Sequence, residues 1–433
     1  MIQTWRKTFS ELIYSPNVIK DIHMKTIDGY DVKIFTDNIE DTAIEQIRQL
    51  LSIDVFSDCK IRIMPDVHAG AGCVIGFTEN LGDKVIPNIV GVDIGCGMLV
   101  QPFICNNPID FHALNEYILR AIPSGRDFRD ENYLPLSQKY SDIYQNAKQL
   151  ILQLRCYREL KEVRRLYKSI GSLGSGNHFI ELDKDESDLY YLVVHTGSRN
   201  LGKQVADIYQ KLAVKCQSRW DKLMVEKNRI IEEYKQAGRK SELQDVIRNL
   251  HNSFKTCKLT IPQDLCYLQG QFREDYLHDM HICQCWAQIN RKLIVNLIMD
   301  FIVGEGVVSS EEHFRPFESV HNYIGNDNII RKGVISARLG EKCIIPLNMR
   351  DGSLICIGKG NEDWSFSAPH GAGRIMSHSQ AFKEMSLEDF KKSMKDVYSE
   401  TVTEYTNDKS PMVINRNTKL WITLRILLIL KLS

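Results

Sequence analysis

The chain has 433 residues, 43% of them hydrophobic and 25% charged, and its 55 basic side chains balance its 55 acidic ones. That length fits one large single-core domain or two ordinary ones, and the composition is ordinary globular usage. A formal charge of zero excludes a global basic field, so any nucleic-acid site must be a local basic pocket. The twelve cysteines are scattered. The polar start Met1–Lys7 has no apolar core of signal length, so reduced thiols in a cytoplasmic protein are expected. The apolar run Leu420–Leu430 is broken by Thr423 and Arg425. It is shorter than the ~20 residues a membrane helix needs, so a terminal core helix or strand is expected there and no membrane span.

Up to about Asp37 the chain offers short strand-like runs such as Asp31–Phe35. Thr42–Glu45 reads as a capping box opening a helix with Ile44, Ile47 and Leu51 on one face. Ile61–Gly72 reads as a strand ending in a glycine-rich turn that carries Asp66 and His68. Pro87–Met98 follows, PNIVGVDIGCGM. Its β-branched run Ile89–Val92 predicts a buried strand, and the glycines at 91, 95 and 97 allow a sharp bend. Asp93 and Cys96 sit three apart on that bend. One offers a hard oxygen ligand, the other a thiolate able to bridge two ions. A capping aspartate and a buried cysteine would be the plain structural alternative.

Residues 109–122 and 140–168 predict amphipathic helices. The second ends in Arg155, Arg158, Lys161, Arg164, Arg165 and Lys168, opposed only by Glu159 and Glu162. A solvated helix face is the simplest reading of that run, and an RNA-contact patch the alternative. Gly171–Gly176 then precede Asn177, His178 and Glu181, and a strand over Tyr191–His195 delivers His195 to its end. Thr196–Gly202 is expected to turn behind it. Residues 203–256 read as a charged helical hairpin insertion, turning at Gly238 and carrying no chemistry. His278, His281, Cys283 and Cys285 lack the spacing of a tetrahedral zinc site, and a core helix over Asp275–Met299 is expected. Val320–Ile324 brings His321 to a strand end. Cys343–Ser353 and Leu354–Gly358 form two strands around a polar turn, and Pro369–Arg374 opens a helix with His370 among glycines.

Four histidines, His178, His195, His321 and His370, thus end strands or follow glycines, as Asp93 and Cys96 do. Asp93, Cys96 and three imidazoles suffice for two ions, a usual device for displacement at phosphorus. These ligand types leave Zn, Fe and Mn open. His370 stands apart, because Gly371, Gly373 and Arg374 surround it with bare amides and a guanidinium. A neutral imidazole there suits nucleophilic attack on a nucleotide phosphate.

The chain resembles the RtcB family of GTP-dependent RNA ligases. The resemblance is carried by MPDVHAGAG (64–72), GVDIGCGM (91–98), GSGNHFIEL (174–182), HTGSRNLG (195–202), HN (321–322), RKG (331–333) and PHGAGR (369–374). It implies a single large α+β domain over 1–433, acting as a monomer. Its activity would join a 3′-phosphate or 2′,3′-cyclic phosphate RNA end to a 5′-hydroxyl, in RNA repair or tRNA splicing. Two Mn(II) ions are implied, one on Asp93, Cys96 and His178, the other on Cys96, His195 and His321. His370 would take GMP from GTP. The guanine nucleotide would be bound by Asn177, His178, Phe179, Ile180, Glu181, His321, Asn322, Pro346, Leu347, Asn348, Met349, Ser353, His370, Gly371, Ala372 and Gly373. Arg199, Lys332 and Arg374 are read as RNA-phosphate contacts, and an archease-type activator as a partner. Three features depart from the family: Pro346–Arg350 replaces a PGSMG loop, His378 follows Ser377 where an Arg is usual, and the tail 415–433 differs from the usual proline-and-lysine ending. A metal-dependent cyclic phosphodiesterase and a non-catalytic RNA-end binder are the competing readings.

Overall fold

A computed structural model describes residues 25–27, 29–36, 39–105, 107–218, 220–253, 259–304, 307–308, 315–373, 378–414 and 428–431. In chain order the strands are β1 (Lys25–Thr26), β2 (Val32–Ile34), β3 (Ile61–His68), β4 (Ile75–Asn80), β5 (Lys84–Val85), β6 (Gly97–Cys105), β7 (Phe179–Lys184), β8 (Leu189–Thr196) and β9 (Leu268–Gln269). They continue as β10 (Val307–Val308), β11 (Phe317–Val320), β12 (Asn322–Ile324), β13 (Ile329–Lys332), β14 (Val334–Ser336), β15 (Lys342–Asn348), β16 (Gly352–Gly358), β17 (Ser367–Pro369) and β18 (Leu428–Lys431). The helices are α1 (Asp41–Leu51), α2 (Pro87–Val90), α3 (Phe111–Ala121), α4 (Ser141–Leu152), α5 (Val163–Lys168) and α6 (Arg199–Gln217). After them come α7 (Trp220–Gln236), α8 (Leu243–Ser253), α9 (Gly270–Gly304), α10 (His378–Glu384) and α11 (Leu387–Ser393). The architecture is α+β, as expected.

Two sheets position everything that follows. One runs β1-β2-β3-β4-β13-β12, with only β2 and β3 parallel. The other runs β10-β6-β8-β7, with β11 also on β6, and all its pairings are antiparallel. The apolar run of β6 makes it the inner strand of this sheet, since strands buried on both faces read as continuous hydrophobic sequence. The 35-residue helix α9 crosses the core and buries Tyr276, Met280, Cys283, Trp286, Leu293, Ile294 and Ile298. It is longer at both ends than the segment expected from its apolar positions.

Several local expectations are corrected. Ile89 and Val90 are buried, but in α2. Pro87 at its first turn presets a helical φ, and Gly91 at φ +89° ends it. Helix α1 carries no capping box: Glu40 is its N-cap without a side-chain cap, and Ala43, Ile47, Leu50 and Leu51 are its buried face. The segment 140–168 is two helices, α4 and α5. Between them the Arg155 and Cys156 amides donate to the buried carboxylate of Asp279 on α9, at 2.8 and 2.9 Å. The turn after β8 is short, because α6 begins at Arg199. That helix belongs to the core through Leu201, Val205, Ala206, Tyr209 and Ala213, so the hairpin about Gly238 is made by α7 and α8 alone. In the C-terminal tail, Leu428–Lys431 forms β18 on the edge of β16; 415–427 lie outside the described residues. Each described cysteine is a free thiol. Among the described residues no helix is long and apolar enough to cross a membrane.

Candidate active site

Strand register alone gathers most of the donors. In the β6 sheet, Gly97 pairs with Thr196 and Val320, and Phe179 pairs with His195. Cys96 precedes β6, His178 precedes β7, His195 is the last residue but one of β8, and His321 follows β11. All four therefore meet at one end of one sheet. The Asp93 carbonyl accepts from the Cys96 amide at 3.1 Å, and the Cys96 carbonyl accepts from His321 at 2.9 Å. Strand β14 begins with Val334, whose amide donates to the His321 carbonyl, and pairs with β17 (Val334 opposite Pro369). His370 is delivered beside the same end.

The donor atoms form two groups that share Cys96: Asp93–Cys96–His178 and Cys96–His195–His321. The Cys96 thiol lies 3.5 Å from His178 Nε2 and 3.3 Å from His195 Nε2. His178 Nε2 is 2.8 Å from Asp93 Oδ2, and the Nε2 atoms of His195 and His321 face each other at 3.3 Å. Two nitrogen ligands about 2.1 Å from one cation at a tetrahedral angle stand about 3.4 Å apart, so these spacings fit shared coordination. His178 Nδ1 is fixed by the Leu173 carbonyl at 2.9 Å, which leaves Nε2 for the site. Among the described residues no other Cys, His, Asp and Glu side chains cluster in this way. His281 and Cys285 approach each other only as a pair along α9.

The electrostatics fit cation binding. Burial, then the neighbouring His178, pulls His195 down to about 3. Burial, then His195, holds His321 well below its ordinary value. Both imidazoles are thus neutral and able to ligate. Burial works against ionisation of Asp93, but the hydrogen bonds from His178 and Cys96 and the neighbouring imidazoles together outweigh it and hold the carboxyl below its ordinary value. Burial, then the Asp93 charge, pushes the Cys96 thiol well up. A cation entering here would displace that proton.

Two close approaches hold this arrangement. A Cβ at Gly197 would meet Asp93 Oδ1 at 2.2 Å, and one at Gly95 (φ +73°) would meet the α9 backbone at Gln284 at 2.9 Å. Sequence reasoning missed the clamp behind them. Arg291 of α9, fully buried, donates to the carbonyls of Gly95 and Thr196, both at 2.7 Å, and pairs with Glu318 of β11 at 2.5 Å. One guanidinium thereby ties together three segments that carry donors. Asn290 beside it accepts from the Gly171 amide at 2.7 Å and donates to the Ser172 carbonyl at 3.0 Å. The available signal was an arginine four residues after Ala287 and three before Ile294, on the apolar face of the helix.

His370 stands next to the donors, its ring centroid 5.0 Å from that of His321. Its Nδ1 is 2.9 Å from Asp66 Oδ2 on β3, a carboxylate with no exposed side-chain surface. That contact presents Nε2 outward. Asp66 was visible within its motif, but its pairing with His370 was not.

The residues expected around a nucleotide fall partly together. Ser353 donates to Glu181 Oε1 at 2.7 Å, joining β16 to β7. Burial, then Asp183, raises Glu181 well above the usual carboxylate range. Phe179 packs edge-on against His195 at 5.1 Å, and Asn177 is exposed. Gly371 lies against the Pro346 carbonyl, where an added Cβ would sit 3.8 Å away. Leu347 and Ala372 belong to the core cluster around Trp364. Asn348 is the hub of the Asn348–Asp351 turn, accepting from Arg350 and Asp351; Met349 is half-buried in that turn, and Gly373 beside Asp66. Ile180 faces the other side of β7, against the cluster of Leu192 and Val194. The Asn322 side chain accepts from Gly333 at 2.9 Å.

The three cations expected on RNA phosphates separate. Arg199 stays beside the donors: it holds φ +58° and donates to Ser172 Oγ at 3.2 Å and to the Gly125 carbonyl at 2.8 Å. Lys332 is buried, and its ammonium donates to the Ala71 and Asn88 carbonyls at 2.6 and 3.0 Å. These two bonds tie the Ala71 loop to Asn88 of α2. Arg374 lies outside the described residues.

Comparison with known proteins agrees with this geometry. A family model described as "tRNA-splicing ligase RtcB" matches residues 46–412. The chain is 30% identical over 354 residues to the "RNA-splicing ligase RtcB" of Escherichia coli (strain K12), spanning 76% of this chain and 77% of that protein. It is 24% identical over 428 residues to the "tRNA-splicing ligase RtcB" of Methanococcus maripaludis, spanning 81% and 80%.

Proposed function

The chain belongs to the RtcB family of RNA ligases, and from that membership we propose that it seals RNA 3′-phosphate or 2′,3′-cyclic phosphate ends to 5′-hydroxyl ends with GTP and Mn(II). The observation that carries this reading is the shared-thiol donor cluster with His370 beside it, backed by Asp66. Two cations, one on Asp93, Cys96 and His178 and one on Cys96, His195 and His321, would neutralise charge on the transferred phosphoryl group.

The protein's own residues would then act in order. Glu181, Ser353 and the Pro346–Met349 turn would hold the guanine nucleotide. With Asp66 holding Nδ1, His370 Nε2 attacks the α-phosphate of GTP; a P–N bond forms and pyrophosphate leaves. The RNA 3′-phosphate takes GMP from His370, so the P–N bond breaks as a pyrophosphate link forms. The 5′-hydroxyl of the second RNA attacks the RNA 3′-phosphorus, and GMP leaves. A cyclic phosphate end would first be hydrolysed. Arg199 suits the phosphate of the RNA end. The same reading carries a single catalytic domain in a cytoplasmic monomer, an archease-type activator, and a role in RNA repair or tRNA splicing.

The test is incubation with α-labelled GTP and Mn(II). An acid-labile label on the wild-type chain, absent from His370→Ala, is expected, followed by ligation of a 3′-phosphate strand to a 5′-hydroxyl strand. Metal binding and cyclic-phosphate hydrolysis without any label would instead indicate a phosphodiesterase. RNA binding without metal would indicate an end-binding protein.

A further inference from the structure

Outside the site, the strongest unassigned feature is the face where α5 meets the loop at Phe128. Arg164, Arg165 and Lys168 line a shallow, open groove of about 610 Å³ together with Phe128 and Glu162. The Arg165 guanidinium lies 5.1 Å from the Phe128 ring centroid and the Lys168 ammonium 5.9 Å. Three cations thus stand against one carboxylate, and the Arg165–Glu162 pair, at 3.4 Å on the surface, neutralises little. On the same loop Arg126 adds an exposed cation and Asp127 an exposed carboxylate, the latter accepting from Tyr133 at 2.8 Å, so cations still outnumber carboxylates at this face. In a chain of zero net charge such a concentration is a local field.

Short links connect this groove to the donor cluster. Arg165 donates to the Arg126 carbonyl at 3.0 Å. The preceding residue, Gly125, donates to the Gly174 carbonyl at 2.8 Å and accepts from Arg199. Gly174 in turn abuts His178, since a Cβ there would lie 2.6 Å from His178 Nδ1. The 124–128 loop therefore has the cation ligands at one end and the groove at the other.

We infer that this groove carries the single-stranded RNA that leads into the reacting end, with the α5 cations on its phosphates and Phe128 stacking a base. The inference rests on the RNA-ligase reading above. Single-stranded nucleic acid is held by a basic track combined with an aromatic platform, and this face presents both. The Glu162 and Arg126 contacts fix the Arg165 guanidinium over the ring and leave its remaining donors, with Arg164 and Lys168, for phosphate. An acidic protein segment could pair with the cations but would have no use for the ring between them.

The test uses the full chain with Mn(II) and compares a twelve-nucleotide RNA with a three-nucleotide one, both with a 5′-hydroxyl and a 3′-phosphate. Affinity is read by fluorescence anisotropy across a salt series. The triple variant Arg164→Ala, Arg165→Ala, Lys168→Ala is expected to bind the longer RNA at least tenfold more weakly. Its salt slope should fall by about 2, since each lost single-strand phosphate contact removes about 0.7. Binding of the short RNA and GTP labelling of His370 should not change. Phe128→Ala should weaken the longer RNA about fivefold or more with the salt slope kept, as loss of one stacked base implies. Equal affinity and slope in the triple variant and the wild-type chain would overturn the inference and leave the groove to an acidic protein. Groove-dependent binding in a wild-type chain that takes no GTP label would still support it, while counting against the ligation chemistry.

Discussion

Replacing Cys96 by alanine is expected to cost the protein both cations at once. The thiol is the one donor common to the two groups, so its loss breaks each set of three. The bound-metal count, read by elemental analysis after dialysis against Mn(II), should fall from two per chain to below one. Loss of both cations forfeits several kcal/mol of charge stabilisation at phosphorus. At about 1.4 kcal/mol per decade, the ligation rate should drop by roughly 10³-fold or more. The substitution itself leaves only a small buried void, so the fold should survive with a loss of about 1 kcal/mol. Two retained equivalents with a rate within tenfold of wild type would contradict the shared-ligand arrangement.

Asp66→Asn is expected to separate His370 chemistry from metal binding. The carboxylate accepts from Nδ1 and so leaves Nε2 unprotonated for attack. An asparagine of the same shape can donate from its amide to Nδ1 and favour the opposite tautomer. Loss of such an orienting group behind a catalytic imidazole costs about 10²–10⁴-fold. The rate of GTP labelling should fall by that order while two Mn(II) ions remain bound, because Asp66 belongs to neither donor group. An unchanged labelling rate would remove Asp66 from the mechanism.

Much of the site was legible because its chemistry is written in short motifs at strand ends. The runs around Asp93–Cys96, His178, His195 and His370 announce themselves by glycine within two residues of a donor, and His321 by its place at the end of a strand. What brings them together is register, such as Gly97 opposite Thr196 and Val320, and no local pattern encodes that pairing. The errors have the same origin. The Ile89–Val90 run is β-branched, yet Pro87 presets a helical φ in the first turn and Gly91 at φ +89° ends it, and a helical turn results. The break between α4 and α5 is imposed by Asp279, more than 120 residues away in sequence. Lys332 carries the right charge for phosphate, and only the fold shows its ammonium on the Ala71 and Asn88 carbonyls. Arg291 hid in a long apolar helix, where a charged residue reads as an exception until its acceptors are seen.

The most direct measurement is anomalous diffraction at the manganese edge from crystals soaked in Mn(II). Two peaks are expected, each within about 2.5 Å of the Cys96 sulfur, one also touching Asp93 and His178, the other His195 and His321. A single peak, or peaks whose ligands leave out Cys96, would contradict the account.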